Sequence, residues 1–253
     1  ESKSVLFPSV LEAEDFNTIS LDALRAICTS GLERCPPQER CISWLVLSHV
    51  CTPEMDKLDS QITNLTQIYY DFVANFNLEG FEAISFEDDV FLQRTSIDQR
   101  LFTSIDTDIT RTTHHIRFLP YPDLTKPTDD EHFNNHTRRL ERLLYIFAQL
   151  NDSMKYMQGF NEIIVPIFFV FAQGFDFCHC KWDVVEALTF FVFQALLSST
   201  QLNELFSVDG KSPAAYVLYH NFNQILERFN PRASEILKKH SIIPVTYITK
   251  WIN

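Results

Sequence analysis

Asp108 and Arg111 stand three residues apart in the stretch Ile105-Asp106-Thr107-Asp108-Ile109-Thr110-Arg111-Thr112. On a helix such a pair can touch. Ile105 and Ile109 then form an apolar stripe that anchors the same turn. An arginine held by an acid on a packed helix end is pre-organised, which a phosphate-facing group needs. The plainer reading is a surface ion pair worth about 0–1 kcal/mol. A second stretch reads Tyr156-Met157-Gln158-Gly159-Phe160-Asn161-Glu162. It follows the polar turn Asn151–Lys155 and leads into the apolar segment Ile163–Ala172. Gln158 therefore stands in a loop or first turn at the mouth of a buried helix, and Gly159 beside it would admit a close backbone approach. Taken alone, such a glutamine is a cap or a surface amide.

Other residue groups carry weaker signals. His132 and His136 are four apart with Glu131 nearby, but Phe133 follows His132, so no H-E-x-x-H motif exists. Exposed histidines on a polar turn are the plainer account. The alternative is a helical metalloenzyme, which metal analysis of the purified protein would detect. Cys178-His179-Cys180 lacks a second cysteine pair of the kind zinc sites use. No metal site is expected. Glu87, Asp88 and Asp89 could in principle perform acid–base work, but a solvated loop or helix cap explains them. Nothing places a nucleophile beside His114-His115.

The elements that must position these groups read as helices. Met55, Leu58, Ile62, Leu65, Tyr69, Phe72 and Phe76 step by three and four, with Thr52 as a cap and Pro53 in the first turn. Leu140, Leu143, Leu144 and Phe147 mark a second helix, with Asp129, Asp130 and Glu131 at its dipole-favoured start. Val184, Val185, Leu188, Phe191, Val192, Ala195 and Leu196 mark a third. Ala215, Leu218, Phe222, Ile225 and Phe229 mark a fourth, ended by Pro231. Shorter helices are predicted at 20–30, from Ser20 to Gly31, and at 37–50. Ile242–Thr249 is β-branched, yet Pro244 favours a helix start. The fold class is all-α. Candidate internal boundaries are Pro120–Asp130 and Gly174–His179.

Composition removes several function classes. Glycine occurs only five times in 253 residues, at Gly31, Gly80, Gly159, Gly174 and Gly210. The two closest glycines, Gly159 and Gly174, are too far apart for any G-x-G-x-x-G, G-x-x-x-x-G-K-[ST] or G-x-S-x-G motif. The chain thus lacks the means to cradle a nucleotide in the usual ways. Its net charge of −12 makes general nucleic-acid binding unfavourable. Basic and acidic residues number 7 and 17 over positions 1–100, and 14 and 16 over 101–253. Any anionic ligand or phosphate chemistry, if it exists, is therefore expected in the second part. The six cysteines read as buried thiols of a reducing compartment. The longest apolar run, Ile163–Ala172, is too short to span a bilayer.

Taken together, the two polar stretches resemble the TBC domain, a family of GTPase-activating domains for Rab GTPases. The family pattern I-x-x-D-x-x-R is met by Ile105, Asp108 and Arg111, with Thr112 following. The pattern Y-x-Q-G is met by Tyr156, Gln158 and Gly159, and Asn161 also fits. An upstream R-x-x-x-W is met by Arg40 and Trp44. The likeness runs from roughly Leu24 to Trp251. Two departures, Phe160 in place of the common methionine and Thr113-His114-His115, bear on substrate choice more than on catalysis.

The resemblance implies a single two-lobed helical domain over 1–253, with an N-terminal lobe at about 20–172. Its C-terminal lobe, about 180–253, would be incomplete, with the last helices absent. It implies a GTPase activator with no bond-making chemistry of its own. A GTP-bound Rab GTPase would be the partner and would hold the GTP and Mg²⁺, so this chain needs no cofactor. Arg111 would act as an arginine finger and Gln158 as a glutamine finger that orients the attacking water. Asp108, Thr112, Tyr156, Gly159 and Asn161 would support them, while Arg40, Trp44 and Ile105 would be structural. The alternative is a non-catalytic Rab-binding or scaffolding module of the same fold. Either role implies a cytoplasmic protein of membrane trafficking, recruited peripherally to vesicle or organelle membranes without a transmembrane segment.

Overall fold

A computed structural model describes residues 7–12, 15–32, 34–84, 97–113, 131–152, 154–199 and 213–243. In chain order its helices are α1 (Phe7–Val10), α2 (Leu21–Cys28), α3 (Pro37–Leu47), α4 (Leu58–Asn75) and α5 (Gln99–Thr113). There follow α6 (Glu131–Leu150), α7 (Phe160–Gln173), α8 (Trp182–Ser199), α9 (Pro213–Phe229) and α10 (Pro231–Lys239). Among the described residues there is no strand; two isolated bridges, Leu11 to Ile19 and Thr18 to Glu54, tie the N-terminal segment down. The all-α expectation holds. The chain forms two compact units, Glu1–Leu196 and Leu197–Asn253.

The core of the first unit follows the helical periodicities. Leu140, Leu143, Leu144 and Phe147 of α6 are buried, as are Ile164, Phe168 and Phe171 of α7 and Val185, Leu188, Phe190 and Phe193 of α8. α8 is long and apolar enough to cross a membrane by length and composition. Most of its side chains instead face the protein interior, which makes it a core helix. α7 tolerates Pro166 within its span. In the second unit, α9 and α10 are held by Lys238 Nζ on Glu227 Oε1 at 2.9 Å.

Helix ends differ from expectation in three places. α4 begins at Leu58, after a short 3₁₀ turn over Met55–Lys57, and Thr52 does not cap it. Thr52 is instead engaged by Gln61, whose side chain accepts from Thr52 N at 2.9 Å and donates to Thr52 Oγ1 at 3.0 Å. Ser20 starts α2 through its backbone carbonyl, which accepts from Leu24 N at 2.9 Å, not through its hydroxyl. Pro231 does end α9, but it also opens α10, a helix the periodicity did not suggest. Asn230 caps that helix by accepting from Ala233 N at 3.1 Å, and proline is well suited to a first helical position. The expected helix from Pro244, the Glu87–Asp89 cluster, His114-His115, the Pro120–Asp130 boundary and Trp251 lie outside the described residues.

Beneath α4, α6 and α8 lies a buried ionic cluster. Glu186 of α8 is fully buried and bonds Arg142 Nε at 2.7 Å and Nη2 at 2.7 Å. Arg139 also bonds it, and Tyr69 donates its hydroxyl at 2.6 Å. Arg142 reaches on to Glu82 and to the Leu78 carbonyl. Burial alone would raise the Glu186 carboxyl, but Arg142 and Arg139 outweigh it and hold it below the ordinary glutamate range. α4, α6, α8 and the 3₁₀ turn Phe81–Ala83, which carries Glu82, thus share one charge-compensated node.

Candidate functional site

α5 presents the first polar stretch, and its own start is fixed before any partner is considered. Asp98 accepts from the backbone N–H groups of Arg100 and Leu101 at 3.1 Å each, the usual work of an N-terminal cap. Its own N–H is bonded to the Tyr145 hydroxyl of α6 at 3.0 Å. Phe102, Ile105 and Ile109 face the core, which sets the helix rotation. Asp108 and Thr112 are consequently buried and Arg111 is turned outward, with 61% of its side chain exposed. Arg111 pairs with the Asp108 carboxylate, and its Nε donates to the Thr107 carbonyl at 3.3 Å. Both contacts steer the guanidinium while leaving it open to solvent.

The glutamine stretch is built on glycine geometry. Gly159 has φ 107°, a left-handed conformation that side-chain-bearing residues rarely adopt. It sits immediately before α7, and its N–H donates to Asn161 Oδ1 at 3.1 Å. Phe160 is wholly buried, with its ring centroid 5.7 Å from Phe147, 5.6 Å from Phe193 and 6.1 Å from Tyr156. The departure at this position is therefore a core anchor for the turn. Gln158 itself remains exposed.

The two stretches are bonded to each other. Tyr156 donates its hydroxyl to Asp108 Oδ2 at 2.9 Å, while Asp108 Oδ1 holds Arg111. Burial first, and then the Asp108 carboxylate, push the Tyr156 phenol well above its usual range, so it stays a donor. Asn161 Nδ2 donates to Thr112 Oγ1 at 2.6 Å, and Thr112 in turn donates to the Asp108 carbonyl at 2.8 Å. Asp108, Thr112, Tyr156, Gly159 and Asn161 form one connected network. Above it opens a cleft of about 600 Å³, and Arg111 and Gln158 both line it.

The remaining candidates lie elsewhere. Ile105 is a core residue under the site. Arg40 and Trp44 are half-buried on α3, outside the cleft lining. α3 packs on α7, where Cys41 Sγ contacts the Val170 carbonyl at 3.4 Å. His136 lies edge-on to Trp182, with ring centroids 4.1 Å apart, and near Phe168. The six cysteines are free, and Cys180 is exposed where a buried thiol was expected. Burial pushes the Cys41 thiol up to about 12.

The family model described as Rab-GTPase-TBC domain matches residues 72–253, which include both stretches. The chain belongs to the Rab-GTPase-TBC domain family. TBC1 domain family member 13 of Mus musculus is 28% identical over 121 residues, covering 46% of this chain and 29% of that protein. TBC1 domain family member 22B of Homo sapiens is 22% identical over 244 residues, covering 92% of this chain and 42% of that protein. The chain thus spans well under two thirds of the length of these relatives. The crystal structure of the Ypt/Rab-GAP domain of Gyp1p superposes with a TM-score of 0.67 at 19% identity. That match covers 97% of this chain and 70% of the other. It establishes the TBC fold for the helices described above.

Within this TBC domain, some features escaped the sequence reading. The cleft is also lined by Gln99, Arg100, Thr103, Ser104 and Thr107 of α5. Their spacing of three and four before Arg111 was a legible signal. The buried arginines Arg139 and Arg142 were legible too, as charges within an apolar helical period.

Proposed function

We propose that this TBC domain accelerates GTP hydrolysis on a Rab-family GTPase by inserting Arg111 and Gln158 into the partner's nucleotide site. The observation that carries the reading is their convergence: residues from separate stretches line one open cleft, over a shared Asp108–Tyr156 hydrogen bond. Phosphoryl transfer needs charge neutralised on the transferred group and a water held in line. Arg111 suits the first task, since its guanidinium is exposed yet braced by Asp108. Gln158 suits the second, as a neutral amide that can both accept from and donate to water. GTP and Mg²⁺ would arrive on the GTP-bound partner, so this chain supplies no nucleotide site. The protein would act in the cytoplasm, at vesicle or organelle membranes to which it is recruited.

The test is single-turnover GTP hydrolysis across a panel of Rab GTPases. An arginine supplied in trans contributes about 10³–10⁵ in rate. Arg111→Ala and Gln158→Ala should each cut the stimulated rate by about 10² or more, with helical content retained. GTP-dependent binding without acceleration of any Rab would instead identify a recruiting module.

A further inference from the structure

The cleft floor extends beyond the two fingers along α5, through Thr107 and Thr103 to Arg100. These positions lie on one helical face with Arg111. The threonine hydroxyls are already committed as donors: Thr107 to the Thr103 carbonyl at 2.7 Å and Thr103 to the Gln99 carbonyl at 2.8 Å. Their oxygens remain as acceptors toward the cleft. Arg100 lines the cleft beside Gln99, toward the start of α5. Its side chain is exposed and makes no ion pair with any described residue, in a chain of net charge −12. It also stands against local preference. It occupies the first turn of α5, where the helix dipole favours acids and disfavours a cation. A residue that opposes its own helix and lines the cleft, and whose side chain forms no ion pair with a described residue, is available to a partner at that cleft.

We propose that Arg100 docks a carboxylate on the protein surface of the GTPase, fixing its orientation so that Arg111 meets the phosphates. This rests on the GTPase-activating reading of the same cleft. Arg111 lies eleven helical steps beyond Arg100, about 16 Å at 1.5 Å per residue. They cannot grip one phosphate group together. A guanidinium this far from the phosphates is matched in charge and shape by an aspartate or glutamate of the partner, which would lie roughly 16 Å from the γ-phosphate if both side chains project in parallel from the helix face. Arg111 acts on turnover; Arg100 acts on encounter and on which GTPase is accepted.

The experiment uses a Rab GTPase stimulated by the wild-type chain and measures kcat, KM and their salt dependence for Arg100→Glu and Arg100→Lys. Arg100→Glu should raise KM about tenfold at low salt and leave kcat within about twofold, with the defect shrinking as salt rises. Its melting temperature should hold or rise, because an acid suits that helix turn. Arg100→Lys should retain most of the affinity. A series of GTPase variants, each with one acidic residue at the stated distance changed to lysine, should contain one that restores Arg100→Glu. An unchanged KM, or no restoring variant, overturns the inference while leaving the activating function intact. A wild-type chain that stimulates no GTPase overturns both.

Discussion

Asp108 is the residue on which the site turns. It is 5% exposed and serves Arg111 with one oxygen and Tyr156 with the other. Because Arg111 is exposed, the ion pair contributes little to stability; its effect is orientation. Tyr156→Phe should therefore cost about 1–2 kcal/mol in urea unfolding, since a bond to a charged acceptor is lost. Under the proposed function it should slow stimulated hydrolysis by less than Arg111→Ala does, because the Arg111 guanidinium itself remains. Equal rate losses for the two variants would show that the hydroxyl does more than brace Asp108. Gly159→Ala forces a side chain into a left-handed backbone and should destabilise by about 1–3 kcal/mol. The contact of Asp108 with Arg111 was legible in their spacing. That of Asp108 with Tyr156 was not, since no local rule joins residues 48 positions apart.

At the scale of elements, α3 and α7 meet where a side chain is excluded. A Cβ on Gly174 would lie 2.2 Å from Cys41 Sγ. Gly174→Ala should cost about 1–3 kcal/mol through overpacking. Adding Cys41→Ala should recover part of that loss, a coupling that chemical denaturation of the double variant measures. Helix existence was readable for α4, α6, α8 and α9, whose apolar steps are long and regular. Helix starts were harder. Thr52 has the right chemistry for a cap, but Gln61 takes up its backbone N–H and hydroxyl. α10 was hidden because Pro231 reads as a stop, and only Asn230 before it hints at a new start.

For the molecule as a whole, two buried glutamates set opposite limits on stability. Glu186, held low by Arg142 and Arg139, contributes stability present above the unfolded carboxyl range and lost as pH falls. Glu141 of α6 is the reverse. Burial pushes its carboxyl up to about 8, outweighing Arg138, whose Nη1 it contacts at 2.8 Å. Its folded form favours the proton, so its contribution is full below about 4.5 and fades as pH rises to about 8. Glu141→Gln should therefore match the wild type in melting temperature at pH 5 and exceed it at pH 8. The glycine-poor composition also fits the proposed function at this scale: a chain without glycine-rich phosphate-binding motifs would supply side chains to a nucleotide site on its partner. That claim is tested most directly on a stimulated Rab whose own catalytic glutamine is replaced by alanine, assayed by single-turnover GTP hydrolysis. Stimulation should persist with the wild-type chain and collapse with Gln158→Ala. Loss of stimulation already with the wild-type chain would contradict the assignment of Gln158 as the residue that orients the water.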